Sequence, residues 1–314
     1  MRRAWRGWVE LLSRKERGSN FAMFRIAVAG VILYSLLSVG LHGLVPVLWV
    51  DAAYGGCAKL GSGGLVPSLL GGPTPGVAWT LYAIAFACAC AMLLGAGGRV
   101  PIALLALSYT PLATINPEAY GGYDLMIGNA VWMLLLGDAN ATISLDCRRR
   151  TGRWTSDVLV SAWPRYVIVF QLVTIYTCTG LHKLSADWVP GGTHAALYWV
   201  FQDPTWNRFD LRELSARFYV LTQIGTAATW WWEVTSVLML LVFWFRYTAD
   251  RPGRIRAAFN RFDLRKPWAA IGVALHFGIL VLLNVGPFSL ISLAYYLCLW
   301  RPEEIERVLA RGRA

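Results

Sequence analysis

Tyr166-Val167-Ile168-Val169-Phe170-Gln171-Leu172-Val173-Thr174-Ile175-Tyr176-Thr177-Cys178-Thr179-Gly180-Leu181-His182-Lys183 is apolar for most of its length and ends on a basic pair. At about 1.5 Å per residue it makes a helix of membrane length, with His182 and Lys183 at its end. Asp187-Trp188-Val189-Pro190-Gly191-Gly192 follows, a chain-breaking turn whose Trp suits a membrane interface. On a helix Tyr176, Thr179 and Lys183 share one face, and Gly180 beside them permits close approach of a neighbour. An ammonium at the edge of hydrocarbon is either a snorkelling anchor or a functional group.

Working outward, the same character extends through the chain. Of 314 residues 56% are hydrophobic and only 15% charged, which excludes an ordinary soluble domain. The fold expected is all-α, a polytopic transmembrane helical bundle of about eight spans. These fall at 21–43, 76–95, 100–116, 123–138, 163–183, 219–245, 267–284 and 285–300. The third, fourth and eighth are short for a hydrocarbon core of about 30 Å. Residues 1–20 read as a basic juxtamembrane segment on the inner surface, without a signal-peptide pattern. Residues 21–302 form the transmembrane domain, and 303–314 a basic cytoplasmic tail.

Charge placement gives the orientation. With an N-in start, 23 of the 29 lysines and arginines fall in cytoplasmic segments, and only Lys59, Arg208, Arg212 and Arg217 fall outside. That asymmetry predicts both termini inside a plasma (inner) membrane. It also accounts for the net charge of +11 through an anionic bilayer surface, with no nucleic-acid partner. Of six cysteines, Cys88, Cys90, Cys178 and Cys298 lie in apolar spans, while Cys57 and Cys147 fall on opposite sides. No CxxC or Cys/His ligand spacing occurs, so no metal is expected.

Few other polar groups lie at span level. Asp124 sits in the first turn of the fourth span, where the helix dipole favours a carboxylate, and on the same side as Lys183. An ion pair between them is open. Glu233 lies in the sixth span after three tryptophans, and an unpaired carboxylate there is costly, so it should face protein. His276 in the seventh span invites the same two readings, interhelical hydrogen bonding or proton transfer. Arg25, one turn into the first span, reads as snorkelling.

Thr179-Gly180-Leu181-His182-Lys183-Leu184-Ser185-Ala186-Asp187-Trp188-Val189-Pro190-Gly191 resembles the AGLxKLxxDWVxG stretch of vitamin K-dependent gamma-glutamyl carboxylases and their bacterial HTTM (horizontally transferred transmembrane) relatives. Leu136-Gly137-Asp138-Ala139-Asn140 with Ser144-Leu145-Asp146, and His276-Phe277 followed by Val285-Gly286-Pro287-Phe288-Ser289, resemble two further family segments. Together they cover roughly residues 20–302. The chain matches a bacterial member lacking the C-terminal extracytoplasmic domain, and it has no histidine near Tyr123 where the animal enzyme does. The resemblance implies that Lys183 is the base that deprotonates vitamin K hydroquinone or menaquinol. Oxygenation of that cofactor then supplies the strong base that removes a proton from a peptide glutamate. The implied partners are the lipid bilayer and a secreted peptide substrate or accessory membrane protein. Tyr176, Thr179, His182, Asp187, Asp124, Glu233 and His276 are the candidate polar companions of Lys183.

Two functions compete. One is a quinol-dependent, carboxylase-type membrane enzyme acting on a peptide. The other is a non-catalytic membrane module for lipid, quinone or partner binding. A lysine acts as a base only after losing its proton, so the first needs Lys183 in an apolar pocket and set back from any carboxylate, whereas an anchor tolerates a salt bridge. The topology is directly testable. A cysteine placed at Arg149 should resist, and one at Arg212 accept, an impermeant thiol reagent on intact cells; labelling of both would refute the orientation.

Overall fold

The computed structural model describes residues 2–311. Met1 and residues 312–314, the end of the expected basic tail, lie outside the described residues. The chain forms two compact units, Met1–Ile168 with Leu297–Ala314, and Val169–Tyr296. Each of the eight apolar stretches is helical: α1 (Ser19–Leu41), α2 (Pro75–Leu94), α3 (Val100–Thr114), α4 (Gly122–Leu136), α5 (Trp163–His182), α6 (Tyr219–Thr235) with α7 (Leu238–Tyr247), α8 (Arg265–Leu282) and α9 (Phe288–Tyr296).

By length and composition α1, α2 and α8 can each cross a membrane, and α6 with α7 makes a fourth candidate bent by 49°. The helices α3, α4 and Phe288–Leu299 are apolar but shorter. Arg165, Gln171 and His182 dilute the apolar character of α5, although it has 20 residues. The bend between α6 and α7 falls at Ser236-Val237, where the Ser236 hydroxyl bonds back to the Trp232 carbonyl at 2.8 Å. Such back-bonding commonly bends helices.

In the first unit α1 packs against α2 and α4, and α3 lies against α2 and α4. Thr74 caps α2 by accepting from Val77 N–H, with Pro75 pre-set for the first helical turn. Gly95 ends it at φ +65, and a Cβ there would meet the Arg25 guanidinium at 2.4 Å, so both the turn and the close approach require glycine.

That approach explains the main departure in this unit. Arg25 does not snorkel: it is fully buried and donates to the Ala139 and Ile143 carbonyls and to Asn140 Oδ1 at 2.6–3.0 Å. The segment after α4 is thus folded round one guanidinium, whose planar fork suits several carbonyls at once. Asp146 completes the arrangement by accepting from Gly97 N–H, Gly98 N–H and the Asn140 amide. Burial alone would raise the Asp146 carboxyl, but these donors, with Arg149 nearby, hold it below its ordinary value.

Asn20 lies inside α1 and donates its side-chain amide to the Trp300 carbonyl. The expected juxtamembrane segment contains an amphipathic helix, Arg2–Leu12, and a strand, Lys15–Arg17, paired antiparallel with Leu159–Ser161. Glu16 of that strand takes both ends of the Arg165 guanidinium at 2.6 and 2.7 Å. Replacing Arg25 by Met removes a buried charge and strands three acceptors, so it should lower stability by about 3–5 kcal/mol. Thermal unfolding in detergent measures this, and a loss under about 1 kcal/mol would contradict the role given to Arg25.

Candidate functional site

All the residues of the site described next belong to the second unit, Val169–Tyr296. Its first element is the approach of α5 to α6. A Cβ on Gly180 would lie 2.9 Å from both Glu233 Cβ and Val234 N, so only glycine lets these backbones come so near. At that separation the short glutamate reaches the end of α5. Lys183 Nζ donates to Glu233 Oε1 at 2.7 Å and Oε2 at 2.5 Å. Glu233 is 5% exposed, and the Lys183 side chain keeps 20% of its surface.

The turn after α5 supplies a third wall. Gly191 takes φ +86, and a Cβ on Gly192 would meet the Ala186 carbonyl at 1.9 Å, so this loop closes only with glycines. Thr193 ties it shut through Asp187 Oδ1 at 2.7 Å. Closure brings the Trp188 ring to 4.3 Å from Lys183 Nζ, a cation–π contact. The ammonium is therefore held between a carboxylate and an indole face.

Below it lies a hydrogen-bonded chain in an aromatic cluster. Tyr296 donates to the Tyr176 hydroxyl at 3.1 Å, and that hydroxyl stands 2.5 Å from His276 Nε2. With Tyr296 donating, the Tyr176 proton is free to bond Nε2, which leaves the His276 proton on Nδ1. Nδ1 is buried and without a hydrogen-bond partner. Trp232 and Trp268 pack on Tyr176 at 4.5 and 5.7 Å between ring centroids, and Trp268 stacks on Tyr296. Trp232 gives its indole N–H to the Trp268 carbonyl, and Trp268 gives its own to Ser236. Gly272 leaves room for the cluster, since a Cβ there would meet the Tyr296 hydroxyl at 1.8 Å.

Of the residues expected at the site, Lys183, Glu233, Tyr176 and His276 fall within these two clusters. The carboxylate beside Lys183 is Glu233 rather than Asp124, so the separation asked of a free base is not met. Asp124 instead accepts from Tyr109 at 2.8 Å and from Gly121 N–H at 2.9 Å within the first unit. Thr179 is exposed, because a step of three residues turns the side chain about 60° off the face that carries Tyr176, Gly180 and Lys183. His182 is exposed and its Nδ1 bonds the Cys178 carbonyl, while Asp187 closes the turn. Trp188 was expected at the membrane interface rather than over Lys183, and Trp232, Trp268 and Tyr296 were not singled out as site residues; the usable signal was that a Tyr or Trp within an apolar span needs a polar partner.

An apolar cavity of about 380 Å³ lies elsewhere in the unit, lined by Leu197, Phe201, Leu214, Phe218, Leu221 and Leu282 among others. Tyr176→Phe should strip the hydroxyl shared by His276 and Tyr296 and cost about 1–3 kcal/mol. Gly272→Ala should cost a similar amount by displacing Tyr296. Unchanged thermal unfolding of both variants would show the cluster to be loosely packed.

The family model described as HTTM domain matches residues 13–203 of the chain, which include the Lys183 stretch and its turn. No solved structure matches it.

Proposed function

The chain belongs to the HTTM domain family, a family associated with vitamin K-dependent carboxylase-like membrane proteins, and from that premise we propose that it is a quinol-dependent membrane enzyme whose proton acceptor is the Lys183–Glu233 pair. The observation that carries this reading is the placement of that pair, a lysine and a glutamate bonded to one another within an apolar unit and covered by Trp188. An intramembrane ion pair of this kind marks a proton or substrate site more often than it marks packing.

The cofactor of this reading is a quinol. Such a cofactor is a flat ring with two hydroxyls and a hydrocarbon tail, and when bound it supplies the protons and electrons of the reaction. Glu233 offers a polar contact and the Leu- and Phe-lined cavity elsewhere in the unit offers room for a tail, while Trp232, Trp268 and Tyr296 stack on one another. Vitamin K hydroquinone and menaquinol share this chemistry.

The pair works as a unit. Glu233 accepts the incoming proton while Lys183 keeps its charge beside the place where negative charge develops, a preorganised electrostatic contribution. Trp188 and the closed turn cover one side of the ammonium. The Tyr296–Tyr176–His276 chain offers a path along which the proton is passed on. We place this site in a domain spanning residues 21–302 with about eight membrane crossings, both termini cytoplasmic, in a plasma (inner) membrane. A substrate reached from the outer side, such as a secreted peptide, follows from that orientation.

The directness of the ion pair favours a second reading, a non-catalytic membrane module in which Lys183 and Glu233 pin α5 to α6. Two variants separate the readings: Lys183→Arg keeps the positive charge and the bond to Glu233. Glu233→Gln removes the acceptor and keeps the shape. In membranes given menaquinol and oxygen, the enzyme reading expects both variants to insert, Glu233→Gln to lose about 10²–10⁴-fold in quinol oxidation, and Lys183→Arg to keep most of it. Native-level turnover in Glu233→Gln, or none in the native chain with any quinol tried, would favour the pin.

A further inference from the structure

The first unit holds another buried acid, Asp124, which forms no ion pair among the described residues, and a cavity lies beside it. Asp124 is 7% exposed, in the first turn of α4. One of its oxygens accepts from the Tyr109 hydroxyl and the other from Gly121 N–H, which leaves acceptor capacity on both. The carboxylate borders a cavity of about 80 Å³. Ser35, Trp49, Tyr109 and Tyr123 are its other polar and aromatic walls, closed by Leu36 and Leu112, and no basic side chain is among the lining residues. Trp49 and Tyr109 are themselves 8% and 5% exposed, so these walls are built rather than superficial.

One carboxylate among three aromatic rings is a donor set with a definite preference. Hard metal ions require about six oxygen ligands, and the side chains of this cavity offer only the Asp124 carboxylate and the Ser35, Tyr109 and Tyr123 hydroxyls. Aromatic faces and a single negative charge instead attract an organic ammonium. A volume of this size holds about two or three water molecules. It therefore takes a primary ammonium group and turns away a bulky quaternary one. We propose that the cavity beside Asp124 binds a primary ammonium group. This site is formed by α1, α3, α4 and the segment carrying Trp49, and the proposal is independent of the quinol reading.

Thermal unfolding of the full chain in detergent provides the test, with methylammonium chloride as the probe and sodium chloride and tetramethylammonium chloride at equal ionic strength as comparators. Methylammonium should raise the midpoint saturably, by about 2–4 °C at a few times its dissociation constant, and the other two salts should not. Asp124→Asn should abolish the shift, and Tyr123→Leu should weaken it several-fold while leaving the carboxylate in place. Equal shifts with all three salts, an Asp124→Asn variant that responds like the native chain, or no methylammonium shift at all would each overturn the proposal. Should the Asn variant fail to fold, the salt comparison on the native chain and on Tyr123→Leu still decides the matter.

Discussion

A charge inside an apolar helical unit must find its partner within the protein, and that requirement organises both halves of this chain. Arg25 draws the Ala139–Ile143 segment round itself in the first unit, and Lys183 draws α5 against α6 in the second. Neither contact adds much net stability, because desolvation cancels most of the Coulomb gain. Their effect is on register. Removing either partner leaves a buried group unpaired, at about 3–5 kcal/mol, so alternative packings are disfavoured by that amount.

From the Lys183–Glu233 contact the rest of the second unit follows in order. Gly180 must be glycine for the backbones to close, and Trp232, next to Glu233, then turns into the cluster with Trp268 and Tyr176. Ser236 both bends the helix and accepts from Trp268, which ties the break between α6 and α7 to the aromatic cluster. The hydrogen-bonded chain through Tyr176 to His276 is therefore held by elements that also fix the ion pair. A carboxylate that accepts a proton needs neighbours that stay put when its charge changes, and a stacked aromatic cluster provides them.

Much of this was legible in the residues. The apolar stretches marked every long helix, the Asp187–Gly192 turn announced its own closure, and Gly180 signalled close approach. Asp124 was placed correctly in the first turn of its helix. What the chain order hid were partnerships across long separations. Lys183 lies fifty residues from Glu233 and farther still from Asp124, so chain order alone could not say which carboxylate stands beside the lysine. Arg25 read as snorkelling because nothing local to it reveals the carbonyls of a segment more than a hundred residues on. Thr179 was assigned to the wrong face because steps of three and four residues both count as neighbours, yet they rotate to opposite sides of the line joining Tyr176 to Lys183. The aromatic cluster was missed because tryptophans in apolar sequence look alike whether they face lipid or protein.

The proton held by the Lys183–Glu233 pair is open to direct observation. Infrared difference spectroscopy of the purified chain, without and with menaquinol under anaerobic conditions, reports whether a buried carboxylate becomes protonated. A protonating pair predicts a new carboxylic-acid carbonyl band on quinol addition, absent from Glu233→Gln and shifted by deuterium exchange. A native spectrum that gains no such band, or a band that persists in Glu233→Gln, would contradict it.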